Sequence, residues 1–466
     1  MAAYGVLWPG IGATLTRLGS NVGLTPGTDY NSLQPWGGMR RINLTDNGII
    51  TAIQNLAGTG CGYDDSQTGV AAKGQAMTMI PAFLIYVDTT GVIATSTVAA
   101  GGVSAGATVI PLNSTTNFGT TVVKISSADG TVFENLNTAS VQAGTSITTS
   151  QQLLNSYAAG STVTQYTTAW WVAPVGSTDQ ITRQDGGTHT FSPSDLHPAF
   201  LRNGVAKPYV FIGSYEGYYN SGTGKLESRA GASITNSYTF SAVRGYAQAR
   251  NPAGTPTGAN WVSGWSIIDW LTISAVQDLF MVETASTNSQ GYLNGSTSAS
   301  VLATGTTQSY GNTSYGGSST VNMSYRGIEA LYANYFAMID GINFNNNVAW
   351  VADRGFSCDK FAAPYVNTGV TVAATVSPPI IATMNTTGPF NFGFLPMNNL
   401  GGTANSYGWC DALIGTNSLT PGNTVLARWG TLSNNSGTNG LFAMVTASAS
   451  GTTSAGNNAR LMFVPF

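Results

Sequence analysis

The residues able to do chemistry are few and widely separated in this sequence. Its three cysteines, Cys61, Cys358 and Cys410, are odd in number and match neither a metal-ligand spacing nor a dense disulfide framework. The two histidines, His189 and His197, lie eight residues apart without a neighbouring cysteine, which supports zinc binding only weakly. We therefore predict no metal centre and a structural, hydrogen-bonding role for His197.

Carboxylates are the other candidates for catalysis. A glycosidase needs two of them about 5–10 Å apart across a cleft. Asp64, Asp65, Glu216 and Glu283 are available, but no spacing in the sequence forces any two together. Solvated loop carboxylates or hydrogen-bonded core groups are the better interpretation, because a catalytic pair requires a site. We predict that the chain is not an enzyme.

Charge and composition exclude several partners. Only 8% of the residues are charged, against about 25% in average soluble domains. The net charge of -3, without a basic block, cannot neutralise a row of phosphates, which excludes nucleic acids. The surface is instead rich in neutral hydroxyl and amide groups, which hydrogen-bond to uncharged polar partners such as sugars without steering by charge.

Two stretches bear on location. Residues 1–12 lack the basic segment and long apolar stretch of a secretory signal, so we expect export by another route, such as host lysis. The longest apolar stretch, residues 79–87, is interrupted by Pro81 and is too short to span a bilayer. We expect no membrane insertion.

The pattern of apolar residues predicts an α+β fold that is mainly β. Short runs of Val, Ile, Thr and Tyr between Gly, Asn and Pro turns are typical of many short antiparallel strands. Helical spacing predicts two amphipathic helices, over residues 266–283, with a capping box at Ser266 and Asp269, and over residues 327–339. We place Trp265 and Trp270 in the core, because such helices pack against sheets.

The texture of the sequence divides it into three parts. Residues 1–90 form a β-rich part of the main domain that could dock to a particle, and residues 168–466 complete that domain. Residues 91–167 are almost pure Ser, Thr, Gly, Val and Ala, and predict a small inserted β-module. We expect its strands at residues 107–112, 121–126 and 161–166.

Short motifs in a fixed order carry a family resemblance. They are GATLTRLG (12–19), WGGMRRINL (36–44), MIP (79–81), HPAF (197–200), IGSYEG (212–217), YAQAR (246–250), WSIIDW (265–270), SYRGIE (324–329), DGIN (340–343), GFLP (393–396) and ARL (459–461). In this order the sequence resembles a family of bacteriophage and prophage virion structural proteins. That family is similar to the C-type-lectin-like fold of formylglycine-generating enzymes and of the variable proteins of diversity-generating retroelements.

The resemblance implies a binding surface near the end of the chain. In such proteins the last segment, here residues 425–463, presents alternate residues outward. The implied binding residues are Tyr407, Trp409, Trp429, Ser433, Asn434, Asn435, Thr438, Asn439, Phe442, Met444 and Thr446. Aromatic residues interleaved with Ser, Asn and Gly are also the composition of adaptable paratopes.

The sequence departs from the family pattern at three places. Ser433 stands where an aromatic residue often precedes the two asparagines, Ile42 stands where the opening motif often has Cys, and the simplest members lack the insert. The paired copper-site cysteines of the formylglycine-generating enzymes are absent as well. Lectin-like folds often bind calcium, and oxygen ligands are offered by Asp64, Asp65, Asp340, Asn343, Asn345, Asn346 and Asn347. An Asn-rich loop that caps its own backbone explains them equally well.

These observations predict a non-enzymatic protein of the virion surface, at a tail tip or fibre, that binds a host-cell glycan or surface protein. The alternatives are a capsid decoration or head-fibre protein and, with less support, a capsule depolymerase. We expect other virion proteins as partners and a homotrimer, because closed symmetry hides edge strands.

Overall fold

The computed structural model describes residues 2–8, 14–56, 62–119, 122–149, 152–298, 300–345, 348–372, 380–385, 388–400, 413–415, 424–429, 440–448 and 456–466, together with 451 and 453. The fold is mainly β, with 36% strand and 15% helix, which confirms the predicted class at that level. The α-helices are α1 (Gln67–Lys73), α2 (Phe240–Gln248), α3 (Trp270–Thr284) and α4 (Ser289–Tyr292). Short 3-10 helices span Asp29–Ser32, Trp36–Gly38, Pro193–Asp195, Pro198–Phe200, Gly258–Asn260, Gln308–Tyr310 and Gly388–Phe390.

The strands are short and follow one another along the whole chain. In chain order they are β1 (Tyr4–Trp8), β2 (Thr16–Gly19), β3 (Arg40–Leu44), β4 (Ile50–Ile53), β5 (Gln75–Pro81), β6 (Phe83–Thr97), β7 (Val109–Pro111), β8 (Val122–Ser126), β9 (Phe133–Gln142), β10 (Ser146–Thr149), β11 (Thr162–Pro174), β12 (Gln180–Thr182), β13 (Thr188–Thr190), β14 (Leu201–Arg202), β15 (Val205–Ala206), β16 (Tyr209–Gly213), β17 (Tyr218–Asn220), β18 (Lys225–Glu227), β19 (Gly264–Ile267), β20 (Ser324–Tyr325), β21 (Ile328–Glu329), β22 (Phe336–Asn345), β23 (Val348–Val351), β24 (Val366–Thr371), β25 (Ile380–Met384), β26 (Pro396–Leu400), β27 (Leu413–Gly415), β28 (Thr424–Trp429), β29 (Met444–Ser448), β30 (Asn457–Asn458) and β31 (Leu461–Val464).

Three large sheets surround the core. One has the order β2-β1-β11-β8-β9-β10-β7, with β6 also paired to β11. The second has the order β19-β31-β16-β5-β3-β4, and the third β24-β23-β22-β28-β29-β27, with β30 beside β22. Nearly all pairings are antiparallel, as the many short turns of the sequence predict. Smaller two-stranded sheets include the hairpins β17-β18 and β20-β21.

The segment predicted as an insert has its own hydrophobic cluster, which includes Ile110, Val123, Ile125, Ile147 and Val163. Strands β7, β8 and the start of β11 lie within or across the three expected stretches. The cluster grows from the far ends of β6 and β11, which pair along most of their length. Because both strands run across the expected limits near residues 90 and 168, the three-part division stays a prediction.

Helix α3 is the centre of the main core. It confirms a helix within residues 266–283, but its details correct the prediction. The structure buries every residue of the helix rather than one face. Its N-cap is Asp269, which accepts a hydrogen bond from the Thr272 amide at 2.7 Å, whereas Ser266 lies in β19. Trp265 and Trp270 are fully buried, as predicted. Among the described helices, none has the length and apolar character needed to cross a bilayer.

The second predicted helix, over residues 327–339, is wrong. This stretch forms the end of a turn, β21, a series of bends and the start of β22. Positive φ angles at Gly327 (89°), Ala330 (51°) and Ala333 (62°) interrupt any right-handed helix. The apolar residues are still buried, including Ile328, Leu331, Tyr332 and Ile339. The spacing of the apolar residues therefore predicted their burial correctly, but it predicted the wrong backbone conformation.

A helix that the sequence analysis missed, α2, covers a second hydrophobic cluster. Its Phe240, Val243 and Ala247 are buried against Trp265 and the last strand, β31. The Thr239 hydroxyl caps its first turn by accepting a hydrogen bond from the Ala242 amide at 3.3 Å. Thr followed by apolar residues at helical spacing was the available signal.

A large share of the charged residues lies inside the molecule. Among the residues whose burial the structure describes, ten acidic and seven basic residues are buried. The acids are Asp65, Asp88, Glu134, Glu216, Glu227, Asp269, Asp278, Glu283, Glu329 and Asp340, and the bases are Arg41, Arg202, Arg229, Arg244, Arg250, Arg326 and Arg460. Nine acidic and nine basic residues of the described part of the chain are not buried. The charges of the accessible surface that the structure describes therefore balance each other.

Candidate functional site

Most of the predicted binding residues lie outside the described residues: Tyr407, Trp409, Ser433, Asn434, Asn435, Thr438 and Asn439. Trp429 lies in β28 and Thr446 in β29, two strands that pair with each other. For Phe442 and Met444 the prediction is wrong, because both side chains are fully buried. The Phe442 ring packs edge-on against Phe394 at 4.8 Å and contributes to the core around α3.

Two stretches near the end of the chain are also interior. Residues 440–444 and 456–464 are buried, and β31 lies between β19 and β16 in the second sheet. The Gln277 side chain donates a hydrogen bond to the Leu441 carbonyl at 2.8 Å, which fixes the chain to α3. A continuous outward surface over residues 425–463 is therefore wrong. The polar segment 430–439 of the predicted surface lies outside the described residues, and its role in binding stays a prediction.

Two of the oxygen ligands proposed for calcium, Asp340 and Asn343, are engaged elsewhere. Both carboxylate oxygens of Asp340 accept hydrogen bonds from Arg244 at 2.6 Å. The Asn343 amide donates to the carbonyls of Ser357 and Lys360. Within the described ranges, no three His, Cys, Asp or Glu side chains come together as a metal site. Asn346 and Asn347 lie outside those ranges.

The histidine environments are structural. His197 is fully buried, with its Nε2 3.1 Å from Asp278 Oδ2 and its Nδ1 accepting from the Ala199 amide at 3.1 Å. Burial lowers the pKa of His197 to about 3 and raises that of Asp278. The imidazole is therefore neutral and donates from Nε2, which is the hydrogen-bonding role expected from the sequence. His189 stacks on Tyr86 at 3.6 Å, at the molecular surface.

A cleft that the sequence analysis did not anticipate gathers several of the remaining charges. Its walls are the turn after β3 with Thr45 and Asp46, helix α1, and the β17-β18 hairpin, and Arg250 closes its base. The cavity has a volume of about 410 Å³. We call it the ion-pair cleft. It is defined by Asp46, Lys225, Glu227 and Arg250, which line it, and by Arg229, which pairs with Glu227 behind the lining.

The charges of the ion-pair cleft alternate in sign. Lys225 Nζ lies 2.8 Å from Asp46 Oδ2, and Arg250 Nη1 lies 2.7 Å from Asp46 Oδ1. Arg250 Nη2 lies 3.9 Å from Glu227 Oε1, and Arg229 Nε lies 3.1 Å from Glu227 Oε2. Burial lowers the pKa of Arg250, although the Asp46 carboxylate opposes this. Each cation therefore has a carboxylate beside it.

The surrounding structure fixes this chain of charges. The Asp46 carbonyl accepts a hydrogen bond from the Trp265 indole at 2.9 Å, which holds the turn against the core. Asn220 Nδ2 donates to Glu227 Oε1 at 2.8 Å across the hairpin. Gln67, at the start of α1, accepts from Arg229 Nη1 at 3.3 Å. The cleft is thus preorganised by contacts between distant parts of the chain.

No protein-family model and no curated protein matches this sequence. The site must therefore be interpreted from its own geometry. Residues 46, 67, 225 and 250 are far apart in the sequence and form no local motif, which is why sequence reasoning missed them. The one available signal was the scarcity of charge, since a protein with few charged residues has placed four of them around one cavity and a fifth, Arg229, beside Glu227.

Proposed function

We propose that this chain is a non-catalytic protein of a bacteriophage particle surface, at a tail tip or fibre, with a C-type-lectin-like fold that binds a host glycan or surface protein. The distribution of charge is the observation that carries the proposal. Several of the buried charges form ion pairs, and the charges on the described surface balance, which suits adhesion by shape and neutral hydrogen bonds. The ordered sequence motifs supply the link to virion proteins.

The proposed contact is the polar segment between β28 and β29. Its Ser433, Asn434, Asn435, Thr438 and Asn439 offer neutral donors and acceptors. Strands β28 and β29 pair antiparallel, and the buried residues 440–444 follow the segment directly. A polar segment with firmly packed neighbours loses less conformational entropy on binding than a free tail does. Tyr407 and Trp409 are the proposed aromatic anchors.

Adsorption tests this proposal. Particles that carry Ser433→Ala, Asn434→Ala and Asn435→Ala together should adsorb to host cells about a hundredfold more weakly, because the loss of about three neutral hydrogen bonds of about 1 kcal/mol each costs about 3 kcal/mol. Ser319→Ala with Thr320→Ala is the control, since both residues are exposed at a distant place in the sequence. Equal adsorption of the triple variant and the parent would rule out receptor binding by this segment.

A capsid decoration or head-fibre role is the second candidate. The burial of Phe442, Met444 and β31 favours it, because less of the chain's end is available for a receptor than the family resemblance implies. Electron microscopy of labelled particles separates the two functions. A tail-tip position supports attachment, whereas a capsid-wide distribution supports decoration. In either role we expect a homotrimer, which light scattering on the purified protein would measure.

A further inference from the structure

We propose that the ion-pair cleft is a binding site for an uncharged saccharide. This site is separate in sequence from segment 430–439, so it goes beyond the function proposed above and does not depend on it. Three features carry the inference: a cavity of adequate size, reachable polar groups at its rim, and a pairing of charges that leaves no place for an ionic ligand.

The size and wall of the cleft suit a small sugar. Its volume of about 410 Å³ falls within the range of about 300–1,000 Å³ that is usual for small-molecule sites. Ala71 and Ala72 on α1 are exposed and form an apolar side of the cavity. A sugar ring has apolar C–H faces as well as hydroxyl edges, so one apolar wall and one polar wall match its two kinds of surface.

The polar side chains of the cleft differ in how accessible they are to a ligand. Arg250 and Glu227 form the base, where their side chains are only 5% and 11% exposed. Lys225 and Asp46 form the rim, where their side chains are 32% and 35% exposed. A ligand can therefore contact the rim pair while the base holds it in place. Preorganised polar groups of this kind bind at a lower entropic cost than free surface side chains do.

The pairing of charges decides the class of ligand. Asp46 lies between Lys225 and Arg250, and Arg250 also donates from Nε to the Leu226 carbonyl. An acidic sugar or a phosphate would have to displace a carboxylate from one of these cations. A hydroxyl group avoids this cost, because it can donate to a carboxylate oxygen and accept from an ammonium group at once. The geometry therefore favours neutral hydroxyl-rich ligands.

A structural ion-pair network is the competing explanation, and the rim distinguishes the two. Exposed ion pairs contribute little to stability, so the rim pair is not needed to hold the hairpin. Lys225→Met keeps the aliphatic stem and removes the ammonium group, while Asp46 keeps its contact with Arg250. The matched control is Arg183→Met, because Arg183 and Asp185 form an ion pair of nearly the same exposure, 32% and 36%, elsewhere on the surface.

The experiment is a titration of the purified full-length protein with sugars, in which saturation-transfer NMR measures binding. The neutral probes are lactose, maltotriose, mannobiose and N,N′-diacetylchitobiose, and the acidic probe is 3′-sialyllactose. We expect at least one neutral sugar to bind, with little dependence on salt. Lys225→Met should weaken that binding at least about tenfold, since a charge-assisted hydrogen bond is lost. Arg183→Met should leave it unchanged, and Lys225→Arg should restore most of it.

Three results would overturn the proposal: no neutral probe binds, Lys225→Met and Arg183→Met bind equally well, or 3′-sialyllactose binds more tightly than every neutral probe. If Lys225→Met does not fold, Gln67→Ala at the rim takes its place under the same criteria. The experiments distinguish a failure of the cleft proposal from a failure of the adsorption proposal. Loss of cell adsorption in the segment 430–439 variant with intact sugar binding leaves the cleft standing, and the reverse pattern leaves the adsorption site standing.

Discussion

Replacing Glu283 with glutamine should lower the free energy of unfolding by about 3–5 kcal/mol, the usual cost of breaking a buried ion pair from one side. Glu283 lies near the end of α3 and is fully buried. Its carboxylate accepts from Arg326 Nε and Nη2, both at 2.6 Å, and from the Tyr325 hydroxyl at 2.8 Å. The Gly27 amide donates to it as well, at 2.9 Å.

Glutamine preserves the volume but not the chemistry of this site. All four of these partners are donors, so the new amide N–H2 would face donors, and the Arg326 guanidinium would lose its countercharge. Denaturant unfolding measured by circular dichroism gives the difference. Asp185→Asn is the control, because its partner Arg183 is exposed and solvent screens that pair. A Glu283→Gln variant as stable as the control would show that the pair contributes little.

The sequence predicted the architecture where burial and secondary structure agree. Helix α3 was found from its apolar spacing, although the predicted cap at Ser266 was wrong and the N-cap is Asp269. Its complete burial was not foreseen, since an amphipathic helix was predicted, whereas the polar residues Ser274, Gln277 and Asp278 are buried as well. The many short strands followed from their turn residues. Which strands pair, and therefore where β31 is inserted, depends on contacts between distant residues.

The helix predicted at residues 327–339 was wrong for a particular reason. Apolar residues recur there at helical intervals because several short turns bring them all toward one core. Periodicity records which residues are buried, and a helix is only one of the backbones that produce it. The left-handed conformation of Ala330 and Ala333 is unusual for residues with a side chain and left no signal in the sequence.

The predicted binding residues Phe442 and Met444 show the same limit of sequence patterns, which do not specify how a residue packs. Phe442 and Met444 lie among Ser, Asn and Gly residues, and that composition fits a binding surface as well as a strand that enters a core. Their burial beside Phe394 is decided by packing. The ion-pair cleft is the opposite case, because no stretch of sequence contains it. It exists only when the turn at Asp46 meets the β17-β18 hairpin.

The buried carboxyl Glu216 should make the protein less stable in alkali. Burial raises the pKa of Glu216 to about 8, although Arg460 and the hydrogen bond from Asn334 act in the opposite direction. A carboxyl group whose pKa rises on folding makes its full contribution to the stability of the folded protein only below its unfolded pKa of 4.5. This contribution is lost as the pH rises through 8. At about 1.4 kcal/mol per pKa unit, the loss approaches about 5 kcal/mol.

Glu216→Gln should remove this dependence, because glutamine still accepts from Asn334 and never ionises. Relative to the parent, the variant should gain about 5 kcal/mol of unfolding free energy between pH 4.5 and pH 9. Comparing the two proteins at each pH cancels the titration of Asp278 and of the other groups they share. Asp359→Asn is the control, since this exposed residue has a φ of 62° that asparagine tolerates. Parallel stability curves for Glu216→Gln and the parent would mean that Glu216 is already neutralised or solvated at high pH, and that its burial does not limit stability in alkali.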